Sequence, residues 1–427
     1  MKREFGLVGV IATVVGYVIG ASIFVLPGQL AGSVGPAVVI AYSLAAVIAL
    51  FACVAAAQIG SLYPQPGAGF IAISRLISPL GGFLTIWLML AAYIFAIALI
   101  AVGFGEYLNV FLPMIDKTVA AFGVVLLFGL LNLGGADVLV KIQTFIVVLF
   151  MIALVAVSFG GLYGVEAANL SPMIPTGWDA VILAVVPAFF SYGGFMVVME
   201  MAGEIKNPAR TIPIGLAVSF IVVLITYIAL SFTLVGNIEW QTLAGMDAPV
   251  TRLAEILFGD IGAVFVTIAA IGAAATSVNA LILVASRDII ALSEAGLASA
   301  RFLPERSASG RPTLAVILVI ILSIISLMLG QTVMEYAVWV SAITLIYQAI
   351  IGLSLLYVFK KASDEYQKSE FKISENWLKF WGLGSIIISL AFLFLVFQDS
   401  QGRTIGAIIY LALGILYYLL QTKKGRA

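Results

Sequence analysis

Long apolar runs, punctuated by short polar stretches, set the pattern of this chain. Taking about 18–25 apolar residues as one crossing of a hydrocarbon layer roughly 30 Å thick, the pattern predicts twelve helical spans. They lie near 7–32, 36–59, 82–111, 117–134, 140–162, 180–203, 211–236, 260–293, 313–330, 333–358, 378–398 and 404–421. Two of them are interrupted where a spanning helix should be most regular. Span 1 carries Gly16-Tyr17-Val18-Ile19-Gly20-Ala21-Ser22-Ile23-Phe24, and span 6 carries Pro187-Ala188-Phe189-Phe190-Ser191-Tyr192-Gly193-Gly194-Phe195. Glycine costs about 1 kcal/mol relative to alanine inside a helix, and serine competes for backbone hydrogen bonds, so a helix can open at either stretch. Backbone exposed at that depth survives only where it is buried in protein or lines a wet cavity. A small-residue packing face accounts for span 1 alone equally well. Matched interruptions five spans apart favour discontinuous helices in two inverted repeats, with a site for a polar solute between them.

The expected organisation is therefore a first repeat over 1–175 (spans 1–5), a second over 176–359 (spans 6–10), and a segment 360–427 holding a polar linker, spans 11 and 12 and the tail. Orientation follows from the basic residues, which concentrate in cytoplasmic loops. With the N-terminus inside, only Lys117, Arg252 and Arg403 of the 21 lysines and arginines fall outside, whereas aspartate and glutamate show no such bias. Both termini are expected in the cytoplasm, with the chain multi-pass in the plasma membrane. Between spans 2 and 3, the turn-rich Tyr63-Pro64-Gln65-Pro66-Gly67-Ala68-Gly69-Phe70 leads into Ile71 to Leu80, a short helix at the cytoplasmic interface for which a gate is one use. The loop from Gly296 to Pro312, with Arg301, Glu305, Arg306 and Arg311, reads as a solvated basic anchor.

Composition agrees with a polytopic membrane protein. Hydrophobic residues make up 63% and charged residues 10% of the 427, with mean hydropathy +1.18, against roughly 45–50% apolar in soluble domains. The first apolar run outlasts the roughly 7–15 residues of a cleavable signal and is expected to stay. One cysteine, Cys53, excludes an internal disulfide framework, and the absence of histidine argues against metalloenzymes and histidine-based hydrolases. A net charge of zero gives no field directed at nucleic acid.

The span 1 stretch resembles the first-helix motif G-x-I-x-G-x-G-I-F of the amino acid-polyamine-organocation (APC) superfamily. Gly194-Phe195 with Gly203-Glu204-Ile205-Lys206-Asn207-Pro208-Ala209-Arg210-Thr211-Ile212-Pro213 is similar to its sixth-helix signature E-x-K-N-P-x-R-x-x-P. Tyr63-Pro64 with Gly67 and Gly69, and Asn279-Ala280 with Ser286-Arg287, match weaker family patterns. The resemblance covers essentially the whole chain. It implies an all-α membrane protein with a five-plus-five inverted repeat, discontinuous helices 1 and 6 and two extra C-terminal helices, working by alternating access on an amino acid. Two departures matter. Ser22 replaces a loop glycine, constraining the loop or offering a hydroxyl to the ligand. Met196 stands where many members carry glutamate, and no Asp or Glu falls in the central parts of spans 1, 3, 6, 8 or 10, so the expected substrate is neutral and apolar.

An amino acid zwitterion needs donors for its carboxylate and acceptors for its ammonium. The amides of Ala21, Ser22 and Ile23 at a half-helix start suit the carboxylate. Carbonyls at the helix ends, from Tyr17, Val18 and Ile19 in span 1 and Phe190, Ser191 and Gly193 in span 6, suit the ammonium. Phe189, Phe190, Tyr192 and Phe195 offer an aromatic wall, with Phe190 as the candidate gate; ordinary packing explains Phe189 and Phe195 equally well. No cofactor is expected beyond a coupling ion, Na+ or H+. Carbonyls of Gly16 and Ile19 with hydroxyls of Thr276 and Ser277 could hold sodium, though interhelical hydroxyl packing explains the latter pair as well. The family's helix 5 lysine has no counterpart near Phe150. Glu200 and Glu204 either snorkel, pair with Lys206 or Arg75, or gate. Rival functions are an amine or polyamine carrier, an amino acid exchanger and, more remotely, a transporter-like sensor. No nucleophile and base pair marks an enzyme.

Overall fold

The computed structural model describes residues 3, 5–65, 67–134, 137–303 and 313–424. Pro66 of the turn after span 2, and Glu305, Arg306 and Arg311 of the basic loop, lie outside them. The described chain is helical, with α1 (Leu7–Ile19), α2 (Ser22–Val34), α3 (Val38–Leu62), α4 (Ala68–Leu76), α5 (Pro79–Phe111), α6 (Lys117–Gly134), α7 (Asp137–Gly160) and α8 (Trp178–Phe190) in the first part. There follow α9 (Val197–Glu200), α10 (Pro208–Asn237), α11 (Trp240–Leu243), α12 (Pro249–Glu294), α13 (Thr313–Met328), α14 (Val333–Lys361), α15 (Ser363–Lys368), α16 (Glu375–Asp399) and α17 (Gln401–Lys424). Among the described residues, nine helical segments are long and apolar enough to cross a membrane, and three shorter helices are also apolar.

Span 1 is divided. α1 ends at Ile19, Gly20 takes φ 39° and ψ −143°, and α2 starts at Ser22. Only glycine enters that backbone region at no steric cost, so Gly20 is where the helix direction breaks. Span 6 is divided too. α8 carries Pro187 near its end, and past Tyr192 the chain runs as a 3-10 turn over Gly193–Met196, the single α-turn of α9 and a second 3-10 turn over Ala202–Glu204.

The Lys206-Asn207-Pro208 element then has a plain mechanical use. Asn207 is left-handed (φ 47°, ψ 58°), the conformation that asparagine tolerates better than most side chains, and Pro208 opens α10 with φ preset. Thr211 Oγ1 donates to the Lys206 carbonyl at 2.7 Å, tying the corner down. Phe5 pairs with the same corner in strand fashion, its N–H donating to the Glu204 carbonyl and its carbonyl accepting from Lys206 N–H.

Around these broken segments, α10 packs along α3 and against α1, α12 packs along α5 and α7, and α14 bridges α5, α8 and α16. The predicted interface helix is α4, starting slightly earlier than expected because left-handed Gly67 begins it. α12 is longer than its predicted interval: an amphipathic turn from Pro249 joins the span through a kink at Gly259 (φ 66°).

Candidate functional site

The two breaks touch. A Cβ added at Gly194 would lie 2.9 Å from Val18 Cγ2, 3.0 Å from Val18 Cα and 3.1 Å from Tyr17 Cδ1, so the second break packs bare backbone against the end of α1. Beside them opens a cavity of about 530 Å3, within the roughly 300–1,000 Å3 usual for small-ligand sites. Tyr17, Val18, Gly20, Ala21 and Ser22 line it from the first break, and Phe190, Gly193, Gly194 and Met196 from the second. Met89, Ala92, Ala96 and Ile100 of α5 and Val340 of α14 extend an apolar wall.

Past Gly20, the first backbone donors of the break have no partner among the described residues. Ser22 begins α2, so the amides of Ala21, Ser22 and Ile23 have no acceptor one turn back, and only the next one, Phe24 N–H, reaches a carbonyl, that of Ala21 at 3.2 Å. These three amides and the positive end of the α2 dipole suit an anionic group. On the acceptor side, the Ile19 carbonyl takes the Ser22 hydroxyl at 3.2 Å, and Tyr227 Oη of α10 lies 3.5 Å from the carbonyls of both Val18 and Ile19. Ser22 Oγ is also 2.9 Å from Tyr227 Oη. The Ser22 hydroxyl, expected to constrain the loop or meet a ligand, thus ties the break to α10.

Side chains expected at the site divide into two groups. Tyr17, Val18, Ala21, Ser22, Phe190 and Gly193 line the cavity, while Ile19, Ile23, Ser191 and Tyr192 are fully packed behind it. Tyr192 does not stand in the aromatic wall. It packs against Tyr42 of α3 and Tyr227, and donates to the Tyr42 carbonyl at 3.3 Å. Phe189 and Phe195 are buried in ordinary packing. Phe150 closes on Phe24 edge to face at 6.5 Å, leaving the α7 position apolar.

Gly16, Thr276 and Ser277 face the cavity, and a Cβ at Gly20 would meet Ser277 Oγ at 3.1 Å. The Gly16 carbonyl already accepts from Gly20 N–H at 3.2 Å, and Thr276 Oγ1 donates back to Gly272 and Ala273 of its own helix. Gly16, Ile19, Thr276 and Ser277 therefore offer a hard cation oxygens that are partly engaged.

At the other end of the cavity, sequence reasoning weighed Glu200 as a snorkelling, paired or gating group and missed Asp288. Glu200 of α9 and Asp288 of α12 both line that end, together with Tyr93 of α5 and Tyr347 of α14, so carboxylates reach the cavity from the ends of spans 6 and 8 although the central parts of those spans carry none. Asp288 falls inside the predicted span 260–293, where an ionisable residue is functional by default; that signal was available. Asp288 sits well along its helix from the breaks, about 18 Å beyond Thr276 at about 1.5 Å rise per residue, whereas Glu200 ends the single turn of α9 that directly follows the second break. Among the described residues, Glu200 and Glu204 form no ion pair with Lys206 or Arg75. The Arg75 guanidinium lies instead 5.8 Å over the Tyr63 ring.

Comparison with known proteins bears on this geometry. The family model described as amino acid permease matches residues 5–420. The chain is 30% identical over 352 residues to the branched-chain amino acid permease BcaP of Lactococcus lactis, covering 75% of this chain and 74% of that protein. It is 26% identical over 450 residues to BcaP of Bacillus subtilis, covering 99% and 94%. Its fold is similar to that of MhsT, solved in complex with L-phenylalanine, with TM-score 0.69 and 14% identity over 93% of this chain and 99% of that one.

Proposed function

This chain belongs to the amino acid permease family of the APC superfamily, and on that premise we propose that it moves neutral, apolar amino acids across the plasma membrane by alternating access. It is a transporter and not an enzyme. One observation carries the proposal: the amides of Ala21, Ser22 and Ile23, without a partner among the described residues, lie where the two helix breaks meet beside the cavity. The substrate carboxylate docks on those amides, the ammonium on carbonyls of Tyr17, Val18, Ile19, Phe190, Ser191 and Gly193, and the side chain along Met89, Met196 and Phe190. Phe190 closes the pocket.

The substrate reading is neutral because Met196, not a carboxylate, lines the cavity at the second break, and Asp288 stands too far along α12 to take its place. A lysine side chain extends only about 6–7 Å at roughly 1.5 Å per bond, short of the about 18 Å separating Asp288 from the level of Thr276. The repeat boundaries at 175 and 359, the twelve-helix count and the cytoplasmic termini belong to the same proposal, supported by the paired breaks and the bias of basic residues. Sodium held by Gly16, Ile19, Thr276 and Ser277 is one coupling arrangement that this architecture offers.

The test is counterflow in proteoliposomes loaded with leucine, alanine, phenylalanine, arginine or putrescine. Leucine or phenylalanine should exchange fastest. Saturable exchange of arginine or putrescine, with no competition from the neutral amino acids, would overturn the substrate assignment.

A further inference from the structure

The polar linker between α14 and α16 is built into the fold rather than left in solvent. Tyr366 of its short helix α15 is 7% exposed, and its ring lies 4.5 Å from that of Phe359 near the end of α14. The Tyr366 hydroxyl donates to the Ile373 carbonyl at 2.8 Å, and the Ser369 hydroxyl to the Phe371 carbonyl at 2.9 Å, so the stretch that leads into α16 is pinned. Gln58 of α3 grips that same stretch. Its Nε2 donates to the Phe371 carbonyl at 3.4 Å, and its Oε1 accepts from the Ile373 N–H at 3.0 Å. Gln58 is 0% exposed. A side-chain amide buried to that extent has a donor end and an acceptor end to satisfy, and here one piece of linker backbone satisfies both.

The surroundings of Gln58 give the grip a mechanical consequence. Two positions along a helix point to nearly opposite sides, and at Gly60 a Cβ would meet Ile212 of α10 at 3.3 Å and Met199 of α9 at 3.9 Å. The last turns of α3 are therefore wedged between the linker and the inner arm of the second broken span. The linker itself joins two helices in backbone contact: a Cβ at Gly352 of α14 would lie 2.9 Å from the Gly382 carbonyl oxygen of α16, and one at Gly382 would lie 2.8 Å from that of Gly352. Lys361 Nζ also donates to the Ile77 carbonyl just past α4 at 3.4 Å. The linker thus sits at the end of the cavity that Phe70 of α4 lines.

A second tie joins α3 to the same pair of helices. Gln348 of α14, also 0% exposed, donates from Nε2 to the Ile48 carbonyl of α3 at 3.1 Å. Ile48 is about 15 Å from Gln58 along the helix at about 1.5 Å rise per residue. A helix held at one point can pivot there. Held at two points that far apart, it cannot tilt until one of them lets go, and the tie made to linker backbone is the one at the helix end.

We propose that residues 362–374 form a strap that controls access to the cavity from the α4 side. With Gln58 engaged, α3 is fixed at both ties, the inner arm of the second broken span stays where it is seen here, and the cavity remains open toward α4. Disengagement of Gln58 frees α3 to pivot on the Gln348 contact and accompanies closure of that side. This rests on the alternating-access reading above.

The experiment uses the full-length chain carrying Ala280→Cys on the cavity wall as a thiol reporter. A membrane-impermeant thiol reagent is applied to inverted vesicles, which present the α4 side under the proposed topology. Gln58→Met keeps the length of the side chain and removes the amide. It should slow labelling by roughly two- to tenfold, the population shift expected from the net loss of one hydrogen bond. A merely structural role predicts the opposite sign, because a loosened protein exposes a cavity thiol more. If Gln58→Met does not fold, as read by gel filtration and melting temperature, Tyr366→Phe takes its place; it removes only the hydroxyl that holds the Ile373 carbonyl and should slow labelling in the same direction. Amide hydrogen exchange at Ile373 should be protected in the parent chain and quicken in either variant. Labelling that is unchanged or faster in the folded variant overturns the proposal, as does an unprotected Ile373 amide in the parent. These measurements need no substrate, so they fail separately from the transport reading. Absence of counterflow for every amino acid would remove that reading, and the strap with it.

Discussion

Ala21 is 4% exposed at the point where the chain leaves α1 and begins α2, and its small side chain keeps the cavity floor open. Valine there would crowd the ligand and favour a different backbone geometry at the break. Losing two charge-assisted hydrogen bonds of about 1.5–3 kcal/mol each should weaken affinity by roughly two to four orders of magnitude. Ala21→Val should show this by calorimetry while the melting temperature of the unliganded protein stays near wild type. A normal melt with unchanged affinity would take the carboxylate off α2. The residue was legible in the sequence because it follows the glycine that must break the helix. The fate of its neighbour was not: the Ser22 hydroxyl is claimed by Tyr227, 205 residues away, and no local pattern encodes a partner at that separation.

At the scale of elements, the breaks were legible and the rotation of the helices was not. Gly20, Pro187 and the Gly193-Gly194 pair announce backbone that cannot remain α-helical, and the structure interrupts both spans there. The spanning helices, by contrast, are apolar on every side. Their periodicity does not distinguish a face that meets lipid from one that meets a cavity, so Tyr93 and Tyr347 could not be assigned to the site before α5 and α14 were placed. The diglycine sorts its two members by what each touches. Gly194 meets Val18 Cα, a backbone atom that cannot swing aside, whereas nothing lies within 4 Å of a Cβ at Gly193. Overpacking of this kind typically costs about 1–3 kcal/mol. Gly194→Ala should therefore lower the melting temperature of the unliganded protein and Gly193→Ala should leave it unchanged. Equal melting temperatures for the two variants would mean that the breaks do not depend on their mutual contact.

For the whole molecule, the distribution of basic residues and the position of the cavity lead to one statement about sidedness. In the proposed topology the loop that holds α4 is cytoplasmic, and the cavity extends from the breaks toward that same helix, with Phe70 of α4 and Phe5 on its wall. On the opposite side, α2 is closed against the start of α12 and the residue after α11 so tightly that Cβ atoms at Gly28 and Gly32 would strike Pro249 and Ala244 at 2.1 Å and 2.6 Å. The state seen here is thus inward-facing under the proposed topology. The chain's single cysteine, Cys53, is buried, which makes a newly introduced thiol a clean reporter. Ala280 of α12 lines the cavity. Ala280→Cys should react with a membrane-impermeant thiol reagent applied to inverted vesicles, and more slowly in right-side-out vesicles. Substrate at ten times its Kd fills about nine-tenths of the sites, so labelling should slow by up to about tenfold if the bound or outward-facing states hide the thiol. Labelling confined to right-side-out vesicles would reverse the topology. Equal labelling from both sides, unaffected by substrate, would describe an open pore, and alternating access would fall with it.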